Sequence, residues 1–282
     1  MAEGLRKARE TIAKVEDNNP EPLVTRERVG PVAVLTLNRP ERRNPLSEGM
    51  MTALSQSLVA MSAHREIRAI VITAKGPVFS AGHDLNELSQ HREDGDRGRK
   101  YFERTFRQCS DLMRQINRYP RPVIAAVQGT ATAAGCQLVA TCDLAVAADS
   151  AKFCTPGVNI GLFCSTPMVA LSRNILPKRA LEMLLLGEMM TALQAAEFGL
   201  VNRVVPADRV LAEALAMAKI IADKSPFTVQ VGKEAFYAQL ETTREEAYSY
   251  AAEVMVENMM AQDAEEGIAA FLNKRKPEWK GC

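Results

Sequence analysis

The sequence predicts an α/β core followed by a helical tail, on three observations. Short β-branched runs recur through the first 205 residues, helical patterns lie between them, and after Val204-Val205-Pro206 the strand runs stop while helical periodicity continues. The reading divides the chain into a charged arm at 1–20, a core at 21–205 that holds the chemistry, and a helical region at 206–282.

The strand runs are Val32-Ala33-Val34-Leu35-Thr36-Leu37, Ala69-Ile70-Val71-Ile72-Thr73, Pro122-Val123-Ile124-Ala125-Ala126-Val127 and Asp143-Leu144-Ala145-Val146-Ala147-Ala148. Ser47 is a good N-cap for a helix whose Met50, Leu54, Leu58 and Met61 recur at helical spacing. Phe102, Phe106, Cys109, Met113 and Ile116 mark a second amphipathic helix, ended by Tyr119-Pro120, and both stripes are expected to pack into the core. Arg92 to Lys100 mixes charge signs and reads as a mobile solvated loop or lid. Three tail helices are expected over Asp208–Lys224, Thr228–Gln239 and Thr243–Arg275, with Met255 and Met259 at an interhelical or subunit contact.

Bulk properties exclude several function classes. Thirty-five basic residues against thirty-four acidic ones leave a formal charge of +1, so no nucleic-acid track or affinity for an anionic membrane is expected. Cys109, Cys136, Cys142, Cys154, Cys164 and Cys282 show no CxxC spacing, which argues against a zinc site or disulfide framework and for a reducing, cytoplasmic compartment. Met1 to Pro20 carries Glu3, Glu10, Glu16 and Asp17 and has neither the apolar core of a signal peptide nor the acid-free character of a transit peptide. No run approaches the roughly 18 to 20 apolar residues of a membrane helix.

Two segments point to chemistry. Phe79-Ser80-Ala81-Gly82-His83-Asp84-Leu85 and Thr132-Ala133-Ala134-Gly135-Cys136-Gln137 both read as small-residue turns feeding a helix, a geometry that aims free N–H groups outward. The amides of His83 and Ala134 together form a candidate oxyanion hole, in which each donor is worth about 3–4 kcal/mol to a developing oxyanion. Asp84 and Glu87 have capping-box spacing, so a structural role for Asp84 stands beside any role at the site, and the His83 amide matters more here than its ring.

These two segments in this order, preceded by Leu37-Asn38-Arg39-Pro40-Glu41-Arg42-Arg43-Asn44-Pro45-Leu46, resemble the crotonase superfamily, the enoyl-CoA hydratase/isomerase family. The likeness spans about residues 24 to 280 and continues through Cys142-Asp143, Phe153, Pro156, Gly161, Gly199-Leu200-Val201 and Phe271-Leu272-Asn273-Lys274-Arg275-Lys276. Thr155 to Ser165 marks a subgroup within the family. The resemblance implies a spiral of ββα units with a C-terminal helical trimerisation region, as a trimer or a dimer of trimers. It implies no cofactor or metal, because a coenzyme A thioester is the substrate, with its carbonyl between the amides of His83 and Ala134. By the same resemblance Arg42 and Asn44 lie near the nucleotide and pantetheine, and Ala81, Asp84, Leu85 and Gly135 line the thioester approach. Phe271 and Lys274 reach the adenine end from a neighbouring subunit.

Hydratases of this family place one glutamate three residues beyond the second donor and another directly after a Phe-x-x-Pro segment. This sequence has Gln137 and Gly157 at those positions, and alanine at 134 where glycine is usual. An amide takes no proton near neutral pH and glycine has no side chain, so hydratase activity is expected to be weak or lost. Ser165 aligns with a carboxylate of the dienoyl-CoA isomerase branch; Cys164 beside it would need a cationic neighbour to act as thiolate. Three functional readings follow: an enzyme of fatty acyl-CoA metabolism, lyase or isomerase, acting through enolate stabilisation; a malonyl-type-CoA decarboxylase, which needs no carboxylate base; and a non-catalytic acyl-CoA binder.

Overall fold

The protein is a computed structural model in which residues 21–282 are described; the expected arm at residues 1–20 lies outside the described residues. Among the described residues ten strands form two sheets. The six-stranded sheet runs in the order β1 (Val24–Val29), β2 (Val32–Leu37), β3 (Ala69–Ala74), β5 (Val123–Val127), β7 (Leu144–Ala148), β10 (Arg203–Val205), and only the β1–β2 pair is antiparallel. The second sheet is β4 (Val78–Ser80), β6 (Thr130–Thr132), β8 (Lys152–Cys154) and β9 (Met190–Thr191), parallel except where β8 meets β9.

The connectivity explains the spiral. Each of β3, β5 and β7 turns within a few residues into β4, β6 and β8 of the second sheet, and each short strand is followed by helical chain. β3 and β5 are buried along their whole length, as parallel strands covered on both faces must be, which is why they read as unbroken apolar runs. The predicted strands agree with β2, β3, β5 and β7 to within a residue at each end.

Helix α1 (Glu48–Ser62) begins where Ser47 accepts the Met50 amide at 3.1 Å, and buries Met50, Met51, Leu54 and Leu58. Helix α2 (Leu85–Gln90) is short. Helix α3 (Arg99–Asn117) buries Tyr101, Thr105, Cys109, Leu112, Met113 and Ile116, a face rotated from the expected stripe: Phe106 is exposed and meets the His83 ring edge-on at 5.4 Å between centroids. The segment before α3 is pinned rather than loose. The His91 ring stacks on Tyr101 at 3.6 Å, Arg92 lies over the Phe102 ring, and Asp96 accepts the amides of Gly98 and Lys100.

Helix α4 (Ala134–Thr141) is buried at every residue. Helices α5 (Ser165–Asn174), α6 (Pro177–Leu186) and α7 (Ala192–Glu197) follow, then four tail helices: α8 (Val210–Ala222), α9 (Pro226–Gln239), α10 (Arg244–Met260) and α11 (Gln262–Leu272). The expected boundary at residue 206 does not separate the core from the tail. α8 packs on β2, β3, β5 and β7, and its Val210, Ala214, Met217 and Ala218 belong to the main core. The helices leave the core only from α9, and the single helix expected over Thr243–Arg275 breaks at Ala261, whose ψ of 146° is extended. Met255 and Met259 are exposed on α10. Among the described residues no helix is long and apolar enough to cross a membrane.

Candidate functional site

Three chain segments are braced together at the start of α4. The amide of Ala81 donates to Arg43 O at 3.0 Å, the amide of Leu46 to Gly82 O at 2.7 Å, and Thr132 Oγ1 to Ala81 O at 3.0 Å. Gly82 has φ +88°, a conformation L side chains rarely adopt, and a Cβ there would sit 3.1 Å from the Ala134 nitrogen. A Cβ on Gly135 would lie 2.4 Å from Ser80 O, so the two donor segments touch through main chain. Among the described residues the amides of His83 and Ala134 donate to no protein acceptor, and Ala134 is the first residue of α4, where the helix dipole adds positive potential.

The alanine at 134 is helical and needs no glycine. Backbone strain falls one residue earlier, on Ala133, with φ 48° and ψ −121°, while its amide is tied to Cys154 O at 2.9 Å. That conformation turns the chain sharply from β6 into α4.

Asp84 is the N-cap of α2, accepting the Asn86 amide at 3.0 Å and that of Glu87 at 3.4 Å. Its other carboxylate oxygen lies 2.9 Å from the half-exposed guanidinium of Arg42. Leu85 is exposed beside it. Asn44 braces this segment: it is fully buried, its Oδ1 accepts the Arg39 amide, and its Nδ2 donates to Lys75 O and Val78 O. The His83 ring donates from Nδ1 to Leu46 O at 3.2 Å, and burial holds its pKa below the ordinary histidine value, so the ring is neutral.

The two positions of the missing carboxylates are built differently. Gln137 is buried one turn into α4, and its Oε1 receives the Cys109 thiol at a sulfur–oxygen distance of 3.8 Å. Gly157 has no room for any side chain: a Cβ would meet Leu162 O at 2.4 Å and Cys164 Sγ at 2.8 Å. Cys164 lies against that space as a thiol, since burial pushes its pKa up, and among the described residues no cationic side chain acts on it to make it a base. Ser165 is exposed at the first turn of α5, its hydroxyl turned to Phe163 O at 3.3 Å. Neither residue is placed as a proton acceptor. Asp143 is fully engaged, accepting the Val123 amide at 2.6 Å, Lys233 Nζ at 2.7 Å and Tyr237 Oη–H at 2.9 Å. Burial pulls Lys233 down and Asp143 up, against their mutual attraction.

Gln137 also borders a cavity of about 900 Å³ walled by α3, α4, α5 and α9, with Met113, Val169, Ala170 and Tyr237 in its lining. Sequence reasoning missed this cavity, because only the fold brings α9 across from α4. Phe271 and Lys274, at the end of α11, lie on the outer surface, Phe271 being 82% exposed. All six cysteines are free, and among the described residues no cluster of His, Cys, Asp and Glu is arranged to hold a metal ion.

Residues 27–282 match the enoyl-CoA hydratase/isomerase family. The chain belongs to that family. It is 45% identical over 263 residues to mouse enoyl-CoA hydratase domain-containing protein 3, mitochondrial, covering 93% of this chain and 86% of the relative. The crystal structure of an enoyl-CoA hydratase from Mycobacterium smegmatis superimposes with a TM-score of 0.87 at 49% identity, covering 92% of this chain and 99% of that one. That of human enoyl Coenzyme A hydratase domain-containing protein 3 gives 0.86 at 44%, covering 91% and 100%. The subgroup marked by Thr155 to Ser165 is therefore that of domain-containing protein 3, and the crotonase fold is the observed one. The mitochondrial assignment of the mouse and human relatives overturns the cytoplasmic expectation. Free thiols carry no address of a particular compartment.

Proposed function

We propose that the chain binds an acyl-CoA thioester with its carbonyl oxygen between the main-chain nitrogens of His83 and Ala134, and acts in acyl-CoA metabolism by stabilising the thioester enolate. What supports this reading is the close approach of Gly82 to Ala134, a Cβ on the glycine falling 3.1 Å from the Ala134 nitrogen, together with the amides of His83 and Ala134, which donate to no protein acceptor among the described residues. Each donor contributes about 3–4 kcal/mol where negative charge develops on the oxygen. Ala81, Gly135 and Leu85 flank the thioester approach, and Arg42, held by Asp84, supplies a cation toward the nucleotide. Phe271 and Lys274 serve the site of a neighbouring subunit in a trimer or dimer of trimers, with the exposed face of α10 as contact surface. No cofactor is required, because the coenzyme is part of the substrate.

Water addition is weak in this reading, because Gln137 neither takes nor gives a proton and the backbone around Gly157 leaves no space for a carboxylate. Each positioned acid or base is worth about 10²- to 10⁴-fold. A malonyl-type decarboxylase is the second reading, favoured by the same two residues, since loss of carbon dioxide yields the enolate with no proton to abstract. The test is calorimetric titration with butyryl-CoA alongside a crotonyl-CoA hydration assay. Saturable binding with hydration far below that of a glutamate-bearing family member supports the reading, and absence of binding at millimolar ligand removes it.

A further inference from the structure

The geometry points to a task for the His83 side chain that is separate from its amide: we infer that the imidazole grips Leu46 and thereby locks the Gly82–His83 peptide, so that the His83 N–H stays aimed at the thioester oxygen. This is a positioning role. It rests on the acyl-CoA reading above and deepens it, from the main-chain donor to the group that holds the donor in place.

Three observations carry the inference. The first is the peptide unit that supplies the donor: its oxygen is Gly82 O, which accepts the Leu46 amide at 2.7 Å. The peptide is trans and planar, so fixing its oxygen points its N–H the opposite way, and a peptide that accepts at oxygen is a stronger donor at nitrogen. The weak point is Gly82, which sits at φ +88° without a Cβ and offers the peptide little resistance to turning over.

The second observation is that His83 Nδ1 lies 3.2 Å from Leu46 O. A carbonyl oxygen only accepts, so Nδ1 carries the proton and donates. Both main-chain polar groups of Leu46 are then held by residues 82 and 83, its N–H by Gly82 O and its C=O by the ring. Leu46 is a firm post for this grip. Its side chain is fully buried, and it follows Pro45 and the buried Asn44, whose side chain is tied to Arg39, Lys75 and Val78.

The third observation is what the ring does not do. Its Nε2 is buried without a hydrogen-bond partner among the described residues, and Phe106 closes on the ring edge-on, with the ring planes 77° apart. An orphaned buried nitrogen is a cost to the fold, so the polar contribution of the imidazole is its Nδ1 bond. Burial keeps the ring neutral, and it therefore acts by direction rather than by charge.

The test is carbon-13 NMR of carbonyl-labelled butyryl-CoA on the full chain at saturating ligand, where the downfield displacement of the carbonyl resonance from its free position reads polarisation of the thioester. Wild type should displace the resonance, and His83→Leu should lose roughly half of that displacement, because one of two donors is misdirected. His83→Asn should recover it: asparagine has the shape of leucine and sets an N–H donor at the δ position that Nδ1 occupies. As a measurement independent of either variant's folding, nitrogen-15 NMR of histidine-labelled wild type should show the His83 proton on Nδ1. A proton on Nε2, an undiminished displacement in His83→Leu, or equal losses in His83→Leu and His83→Asn would each overturn the inference while the acyl-CoA reading stands. Failure of butyryl-CoA to bind wild type, or binding with no displacement, overturns both.

Discussion

Adding one methyl group at Gly157 is expected to destabilise the protein, although the same change in α9 should stabilise it. A Cβ at Gly157 would lie 2.4 Å from Leu162 O and 2.8 Å from Cys164 Sγ. The first partner is backbone and the second belongs to a half-buried side chain, so neither retreats freely. Overpacking of this kind costs about 1–3 kcal/mol. At about 2–4 °C per kcal/mol for a chain of this size, Gly157→Ala should melt about 2–12 °C below wild type. Gly232, in α9, is the control: its backbone is helical, it is exposed, and a Cβ there would meet nothing within 4 Å. Gly232→Ala should therefore gain about 0.5–1 kcal/mol. Both are read by calorimetric and urea melts. A Gly157→Ala protein as stable as wild type would refute the claim that Leu162 and Cys164 occupy the place of the second carboxylate. The same contacts mean that Gly157→Glu, alone or with Gln137→Glu, should not restore hydratase activity.

Three further outcomes are expected. Ala133→Gly should stabilise the fold by about 1 kcal/mol, since it relieves an alanine at φ 48° and ψ −121°; a lower melting temperature would show that the strain is not there. Asn44→Ala should cost about 3 kcal/mol in urea melts, about 1 kcal/mol for each of the three hydrogen bonds lost to the Arg39 amide and the carbonyls of Lys75 and Val78, and a change within error would remove Asn44 as the brace of the site. His83 has a folded pKa below its unfolded value near 6.5, so below that pH the unfolded chain binds a proton that the folded chain refuses. Stability should fall as pH drops through about 6.5, by up to about 1.4 kcal/mol per pH unit until the folded pKa is passed, and His83→Gln should flatten that slope. An unchanged slope in the variant would contradict the assignment.

The parts of the fold that were legible in the sequence are those with strong local signals. β3 and β5 are buried on both faces, so their apolar runs are continuous, and Ser47 caps α1 as its side chain predicts. The strands of the second sheet were not legible, because β4, β6 and β8 have three residues each and carry Ser, Thr and Lys, too short for any period to show. The two donor segments could be found as small-residue turns before helices, and the structure sets them against each other through Gly82. What could not be read was long-range. The thiol of Cys109 on Gln137 and the closure of the space at Gly157 by Leu162 and Cys164 arise from tertiary approach. The buried Lys233–Asp143 pair likewise joins residues far apart in the chain. Asn44 was assigned to the ligand because its segment was, and only its hydrogen bonds reveal that its polar groups are spent on the protein itself.

The measurement that bears most directly on the account is a crystal structure of the protein with a bound non-hydrolysable butyryl-CoA analogue. The account predicts the carbonyl oxygen about 2.7–3.1 Å from both the His83 and Ala134 nitrogens, the geometry of an oxyanion hole, with Gln137 as the polar side chain beside the acyl carbons and no carboxylate within reach of them. A carbonyl oxygen bound elsewhere, or an aspartate or glutamate turned onto the α and β carbons, would contradict it.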